Sequence, residues 1–284
     1  SRRRDARHAP YAGMTRIRFE GFVSPALGPD PCVLSDTLPR RGRRGNDLRR
    51  APSGRGEMPP RFDTIPASPA SLPSLTMNVE QARFNMVEQQ IRPWDVLDTA
   101  VLDLLFEVKR ERFVPPGCEA LAFADLEIPL AHGEAMMQPK VEARILQELG
   151  VKPGDTVYEV GTGSGYLTAL LAKRARHVTS AEIHPDLAAR AKASLAANGI
   201  GNVTLLEGDS ARAPLGEKAY DVIVLTGSTP VLPEAFLARL NPGGRLLAVT
   251  GDAPVMKAVL VEQAAPGEVR RTEVFETILK PLVN

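Results

Sequence analysis

The sequence predicts an α/β protein whose core is a doubly wound, mostly parallel sheet of seven strands, preceded by a helical N-terminal substructure. Strand-like and helix-like segments alternate after residue 150, at the spacing of parallel strands joined by helical crossovers. Two of the strand-like segments, 222–225 and 246–249, are continuously apolar, as in strands that are buried on both faces. A glycine-rich turn at 161–165 joins the first strand of the series to a helix.

The composition is that of a globular protein and argues against an integral membrane protein. Of the 284 residues, 43% are hydrophobic and 24% are charged. No apolar run approaches the roughly 20 residues of a membrane-spanning helix, and no apolar segment follows the N-terminal arginines as in a signal peptide. The two cysteines, Cys32 and Cys118, fit neither a metal site nor a disulfide framework. We therefore expect a cytoplasmic protein with no membrane partner.

Charge and proline content divide the chain near residue 76. Residues 1–76 contain 14 arginines, no lysine, 7 acidic residues and 11 of the 25 prolines, for a net charge of +7. Residues 77–284 carry a net charge of −6 and form the predicted domain. The basic segment predicts a disordered extension, with a nucleic-acid-binding arm and a targeting peptide as alternatives. Because lysine is absent from it, we expect no nucleic-acid partner.

Periodicity and end signals predict each element of the domain in turn. Helices are predicted at 78–92, where Pro93 stops the helix, from Asp98 or Thr99 to Val108, and at 139–149. Strands are predicted near 156–160, 177–182, 203–207, 220–226 and 244–250, with helices near 165–175, 185–198 and 231–240. The last two runs, 255–264 and 271–280 around Pro266-Gly267, predict an antiparallel hairpin rather than another crossover.

The glycine-rich turn predicts a ligand at the carboxyl end of the first strand, where open α/β sheets bind nucleotides. Gly161, Gly163 and Gly165 leave room for backbone to approach a ligand. A dinucleotide fingerprint would place its third glycine at position 166, which is Tyr166, and there is no Gly-Lys-Ser/Thr phosphate loop. The turn therefore predicts a nucleotide-like cofactor of another kind.

Acidic residues at three strand ends indicate which cofactor this is. Glu182 closes the second strand, where a carboxylate can bind both ribose hydroxyls, and Asp209 closes the third, within reach of an adenine amino group. Glu159 precedes the glycines, beside a cationic group. Acids at these positions suit an adenosine with a positive centre and no phosphates, which predicts S-adenosyl-L-methionine. The predicted cofactor-binding residues are Glu159, Gly161, Thr162, Gly163, Ser164, Gly165, Tyr166, Glu182, Ile183, Gly208, Asp209 and Ser210. No residue cluster predicts a metal site.

Several motifs between Phe113 and Gly251 carry a family resemblance. They are Arg112-Phe113-Val114-Pro115, Ala122-Phe123-Ala124-Asp125, Gln138-Pro139, 159–166, Glu182, Gly208-Asp209, Asp221 and 243–246. With these motifs the chain resembles the protein-L-isoaspartate O-methyltransferase family over nearly all of 90–284. The resemblance implies a class I methyltransferase fold, which is Rossmann-like. It also implies methyl transfer from S-adenosyl-L-methionine to a carboxylate of a protein or peptide partner, a protein modification.

The sequence departs from the family pattern at the implied substrate loop. The family carries Thr-Ile-Ser before Gln138-Pro139, with the serine beside the substrate carboxylate, whereas this chain has Ala135, Met136 and Met137. The predicted substrate-loop positions are Met137, Gln138 and His132. Three hypotheses about the function stay open: an altered isoaspartyl methyltransferase, a relative that acts on a more apolar acceptor, and a cofactor-binding module without turnover.

The type of acceptor determines which catalytic groups are needed. A carboxylate with a pKa near about 4 is ionised at neutral pH and needs no general base. Catalysis is then mainly the alignment of acceptor oxygen, methyl carbon and sulfur. A hydroxyl acceptor would need a base, for which His132 is the only plausible candidate in the substrate loop.

Overall fold

The fold is taken from a computed structural model that describes residues 78–265 and 268–283. The helices are α1 (Val79–Met86), α2 (Thr99–Glu107), α3 (Pro139–Leu149), α4 (Tyr166–Arg174), α5 (Pro185–Ala197) and α6 (Glu234–Leu237). The strands are β1 (Ile128–Pro129), β2 (Ala135–Met136), β3 (Thr156–Val160), β4 (His177–Glu182), β5 (Val203–Glu207), β6 (Tyr220–Thr229), β7 (Leu240–Asp252), β8 (Val255–Ala265) and β9 (Glu268–Glu276). The predictions for 1–76 and for the turn at Pro266-Gly267 lie outside the described residues.

The main sheet has seven strands in the order β5-β4-β3-β6-β7-β8-β9. Strands β3 to β7 pair in parallel, and β8 runs antiparallel to both of its neighbours. This confirms the predicted α/β class and the hairpin after residue 250. The chain leaves β3 on one side for β4 and β5, and it returns on the other side as β6. The carboxyl end of β3 is therefore the switch point of the sheet, where ligands of such folds bind.

Each face of the sheet is covered by its own apolar cluster. On one face, Val157, Val222 and Val224 pack with buried residues of α2, α3, α4 and α5. On the other face, Tyr158 and Ile223 pack with residues that include Phe236 of α6. Side chains that alternate along one strand thus enter two cores, which makes the sheet doubly wound. None of the helices in the described part of the chain has both the length and the apolarity to span a bilayer.

Two local predictions differ from the structure. The helix predicted at 231–240 is only the four-residue α6, because Leu240 already pairs with Tyr220 of the neighbouring strand. The helix predicted at 78–92 is α1 followed by a π-helical turn and a 3-10 turn, and it ends at Asp95 in the left-handed conformation (φ 59°).

Candidate active site

The glycine-rich turn directly follows β3 and needs glycine at specific places. Gly161, Gly163 and Gly165 all have positive φ values, of 91°, 54° and 83°. A Cβ at Gly161 would lie 2.4 Å from the Thr226 hydroxyl oxygen, which is itself 2.7 Å from the carbonyl oxygens of Val160 and Gly161. Since a side chain fits neither the backbone conformation nor the space, only glycine lets the turn close over the strand end.

A cavity opens beside this turn, at the carboxyl ends of the strands. The predicted site residues that line it are Gly161, Thr162, Gly163, Ser164, Glu182, Ile183, Gly208, Ser210 and Met137. The structure thus brings most of the predicted cofactor residues together with one predicted substrate residue.

Glu182 is held in the cavity by backbone donors. One carboxylate oxygen accepts the Gly163 N–H at 2.8 Å, and the other accepts the His184 N–H at 3.1 Å. A carboxylate has about four lone-pair positions, so each oxygen keeps one for a ligand hydroxyl. This arrangement fits the predicted role of Glu182 toward a pair of ribose hydroxyls.

Four predicted cofactor residues do not line the cavity: Glu159, Gly165, Tyr166 and Asp209. Glu159 lies behind the turn, fully buried, where it accepts hydrogen bonds from the hydroxyls of Thr168 at 2.5 Å and Ser180 at 2.6 Å. Burial raises the pKa of Glu159 to about 7, although the two hydroxyls oppose this shift. Its observed contacts therefore join β3 to α4 and β4.

The other three residues have structural contacts of their own. Gly165 precedes α4, and a Cβ there would lie 3.2 Å from that of Ala191. Tyr166 is buried, with its ring 5.6 Å from that of Phe113. The Asp209 side chain is exposed and accepts the Ala211 N–H at 2.9 Å. Their spacing in the sequence predicted that these residues lie near the ligand site, but it does not predict the direction of each side chain.

The substrate side of the cavity combines an apolar wall with three glutamates, Glu127, Glu134 and Glu142. The short strands β1 and β2 pair, and the turn between them carries Leu130 into the cavity beside Met136 and Met137. Met137 is only 8% exposed. Gln138 is the N-cap residue of α3, where its side chain makes no capping bond, and it does not line the cavity.

His132 lies at the rim rather than in the cavity. Its ring stacks on that of His184 at a centroid distance of 4.1 Å, and its Nε2 is 2.8 Å from a carboxylate oxygen of Asp186. The left-handed backbone at His132 (φ 59°) turns the side chain toward α5. His184, rather than His132, lines the cavity.

Sequence reasoning missed a buried ion pair in the cavity wall. Arg110 is fully buried and donates from Nε to Glu142 at 3.1 Å, from Nη1 to the Ala122 carbonyl at 3.1 Å and from Nη2 to the Met137 carbonyl at 2.6 Å. Glu142 lines the cavity. The sequence contains one indication that Glu142 is buried, because this residue falls on the same face of the helix as the apolar Ile145. No local pattern marks Arg110.

The C-terminal segment also forms part of the site. The Ser228 N–H donates to the Lys280 carbonyl at 2.7 Å, and the Leu282 N–H donates to the Ser228 carbonyl at 2.9 Å. Leu279, Lys280 and Leu282 line the cavity, and the Lys280 ammonium donates to the carbonyl of Gly133. The segment therefore covers one side of the cavity.

Comparison with known proteins identifies the family. The model of the protein-L-isoaspartate(D-aspartate) O-methyltransferase family matches residues 81–284. The chain belongs to this family. A protein-L-isoaspartate O-methyltransferase of Anaeromyxobacter dehalogenans is 44% identical over 174 residues, which are 61% of this chain and 83% of the relative. One of Koribacter versatilis is 33% identical over 216 residues, which are 76% of this chain and 96% of the relative.

Solved structures show the same fold. A Plasmodium falciparum protein described as a protein-L-isoaspartate O-methyltransferase, in complex with S-adenosyl-L-homocysteine, superposes with a TM-score of 0.60 at 19% identity. The match covers 73% of this chain and 99% of the other. The class I methyltransferase fold, the enzyme class and the predicted family are therefore confirmed. No group of three or more histidine, cysteine, aspartate or glutamate side chains that could hold a metal occurs among the described residues.

Proposed function

We propose that this protein transfers the methyl group of S-adenosyl-L-methionine to the carboxylate of an isoaspartyl residue in a protein or peptide. The observation that carries the proposal is one cavity with two kinds of wall. Glu182 and the glycine-rich turn form the cofactor side, and Met136 and Met137 form the acceptor side. The relatives named for this activity support it at 33–44% identity. A cytoplasmic location and a protein or peptide partner belong to the same proposal.

The residues of the cavity fit S-adenosyl-L-methionine better than a nucleotide with phosphates. Glu182 offers carboxylate oxygens to ribose hydroxyls, and the glycine-rich turn offers bare backbone. Lys280 is the only lysine or arginine among the described residues that line the cavity, whereas four glutamates line it. Carboxylates such as Glu182 would repel a pyrophosphate and attract a sulfonium and an ammonium group. The S-adenosyl-L-homocysteine in the Plasmodium falciparum structure, the demethylated form of this cofactor, supports the same choice.

The mechanism needs positioning rather than proton transfer. When bound, S-adenosyl-L-methionine supplies an activated methyl group that a carboxylate oxygen can displace from sulfur. A carboxylate with a pKa near about 4 is already ionised, so no residue of the cavity has to act as a base. Glu182 and the turn fix the cofactor side, while Leu130, Met136 and Met137 exclude water from the acceptor side.

The proposal is tested by methylation of paired peptides. The full chain is incubated with methyl-labelled S-adenosyl-L-methionine and with a peptide that contains one isoaspartyl residue, or its aspartyl isomer as the matched control. We expect a base-labile methyl ester on the isoaspartyl peptide and none above background on the aspartyl peptide. Equal labelling of both isomers, or of neither while the cofactor binds, would contradict the proposal.

The apolar acceptor wall supports one other candidate. Met136 and Met137 are 3% and 8% exposed, and methionine adapts its shape to varied apolar ligands. A methyltransferase for a more apolar carboxylate acceptor therefore fits the same cavity. Absence of ester on the isoaspartyl peptide, with ester on small apolar carboxylic acids under the same conditions, would favour this candidate.

A further inference from the structure

One buried guanidinium connects the acceptor wall to an ionisable side chain. Arg110 donates from Nη2 to the Met137 carbonyl and from Nε to Glu142. One planar guanidinium group therefore holds the Met137 backbone and the Glu142 carboxyl group next to each other. The side chains of Arg110 and Glu142 are 0% and 3% exposed. Although so little of it is exposed, Glu142 is among the residues that line the cavity. Its carboxyl group is therefore held rigidly, beside the apolar wall.

An acceptor carboxylate in this part of the cavity needs a hydrogen-bond donor, since a buried unpaired charge is costly. Three of the hydroxyls that line the cavity already have partners. Thr226 lies 2.7 Å from two carbonyl oxygens, Ser210 donates to a carbonyl at 2.8 Å, and Thr162 is paired with the Ser180 hydroxyl at 2.6 Å. Leu130, Met136 and Met137 offer no donor from their side chains. Glu142 is a polar side chain that lines the cavity next to this wall and is held there by Arg110.

We propose that Glu142, anchored by Arg110, donates a hydrogen bond to the acceptor carboxylate and thereby positions it for methyl transfer. The inference rests on the proposed function. The proton stays on Glu142, the acceptor oxygen forms the new bond to the methyl carbon, and the bond from that carbon to sulfur breaks with its electron pair left on sulfur.

The surroundings of Glu142 favour the protonated form that can donate. Burial raises its pKa to about 7, and the charge and hydrogen bond of Arg110 oppose this shift. Two other ionisable groups interact with it: Tyr166 from α4 and Glu159 from β3, each of which also has a raised pKa. Above pH 7 an ionised Glu142 would lose its donor and repel an acceptor carboxylate. Activity should therefore fall as the pH rises through about 7.

Two substitutions separate this role from a structural one. Glu142→Gln replaces the carboxyl by a neutral group that donates at every pH, and Glu142→Leu removes the donor. Between pH 6 and pH 9 we expect kcat/KM of the parent for the isoaspartyl peptide to fall at least tenfold, and that of Glu142→Gln to stay flat. At pH 6, Glu142→Leu should lose roughly 10²-fold, the usual effect of removing one preorganised donor.

The control is a substitution on the same helix away from the cavity. Glu148 of α3 pairs with Arg144 at 2.6 Å and does not line the cavity, so Glu148→Gln should keep the pH profile of the parent. Melting temperature and S-adenosyl-L-homocysteine affinity are measured for every variant. If Glu142→Leu does not fold, the profile of Glu142→Gln decides alone.

Two results would overturn the inference about Glu142 and leave the proposed function intact. These are a parent rate that is flat or rises between pH 6 and pH 9, and a Glu142→Gln profile identical to that of the parent. Absence of methyl ester at any pH would contradict the proposed function itself. In that case, calorimetric binding of the isoaspartyl peptide to the S-adenosyl-L-homocysteine complex still tests Glu142, and equal affinities of the parent and Glu142→Leu would overturn the inference.

Discussion

At the scale of single residues, two buried carboxyl groups, Glu142 and Glu159, distinguish the site. Glu159 has no basic side chain among its hydrogen-bond partners, which are the hydroxyls of Thr168 and Ser180. Its second oxygen is buried without a partner in the described structure. The sequence predicted this residue beside a cationic group of the cofactor. The position in the motif predicts only that the residue is near the cofactor, not which way its side chain points. Its burial behind the turn depends on the hydroxyls from β4 and α4, which no local pattern reveals.

Glu159→Gln should remove part of the pH dependence of stability. The pKa of Glu159 in the folded protein, about 7, lies above the ordinary value of 4.5. Between these two pH values the native state therefore binds a proton at Glu159 that the unfolded state does not bind. The free energy of unfolding therefore falls as the pH rises from about 4.5 to 7, by on the order of 3 kcal/mol from this group. Urea unfolding at pH 5 and pH 8 measures the loss, which should be smaller in the variant. An equal loss in both proteins would show that Glu159 is ionised at pH 5.

At the scale of elements, the C-terminal segment depends on a glycine in β6. A Cβ at Gly227 would lie 2.7 Å from the Leu282 side chain and 3.1 Å from the Leu282 nitrogen. No local pattern predicts the contact of this segment with β6, because it joins residues more than fifty positions apart. The strands β3, β4 and β5 have the predicted bounds, because apolar runs and end signals act locally. Helix α6 was predicted too long, because the pairing of Leu240 with β6 overrides helical periodicity.

Gly227→Ala should weaken cofactor binding by displacing the C-terminal segment from the cavity. We expect the dissociation constant for S-adenosyl-L-homocysteine, measured by calorimetry, to rise about tenfold, which corresponds to roughly 1.4 kcal/mol. Gly201→Ala is the matched control, since a Cβ at Gly201 has nothing within 4 Å. Unchanged affinity in a folded Gly227→Ala protein would mean that the segment does not help to hold the cofactor.

At the scale of the whole molecule, the cavity joins four parts of the chain. They are the β1–β2 turn with the start of α3, the glycine-rich turn, the carboxyl ends of β4 to β6, and the C-terminal segment. The parallel sheet and its switch point follow from sequence patterns, and with them the cofactor side of the cavity. The acceptor side of the cavity cannot be predicted from such patterns, since it is formed by long-range contacts such as Arg110 to Glu142 and Lys280 to Gly133.

The central claim is that methyl transfer takes place in this cavity, and Glu182 tests it most directly. Glu207 is its neighbour in register on β5, is exposed and does not line the cavity, so Glu207→Gln is the matched control. The measurement is the rate of methyl ester formation on the isoaspartyl peptide by the parent and both variants at subsaturating S-adenosyl-L-methionine. We predict a loss of at least tenfold for Glu182→Gln and less than twofold for Glu207→Gln. Equal rates for the parent and Glu182→Gln would contradict the account.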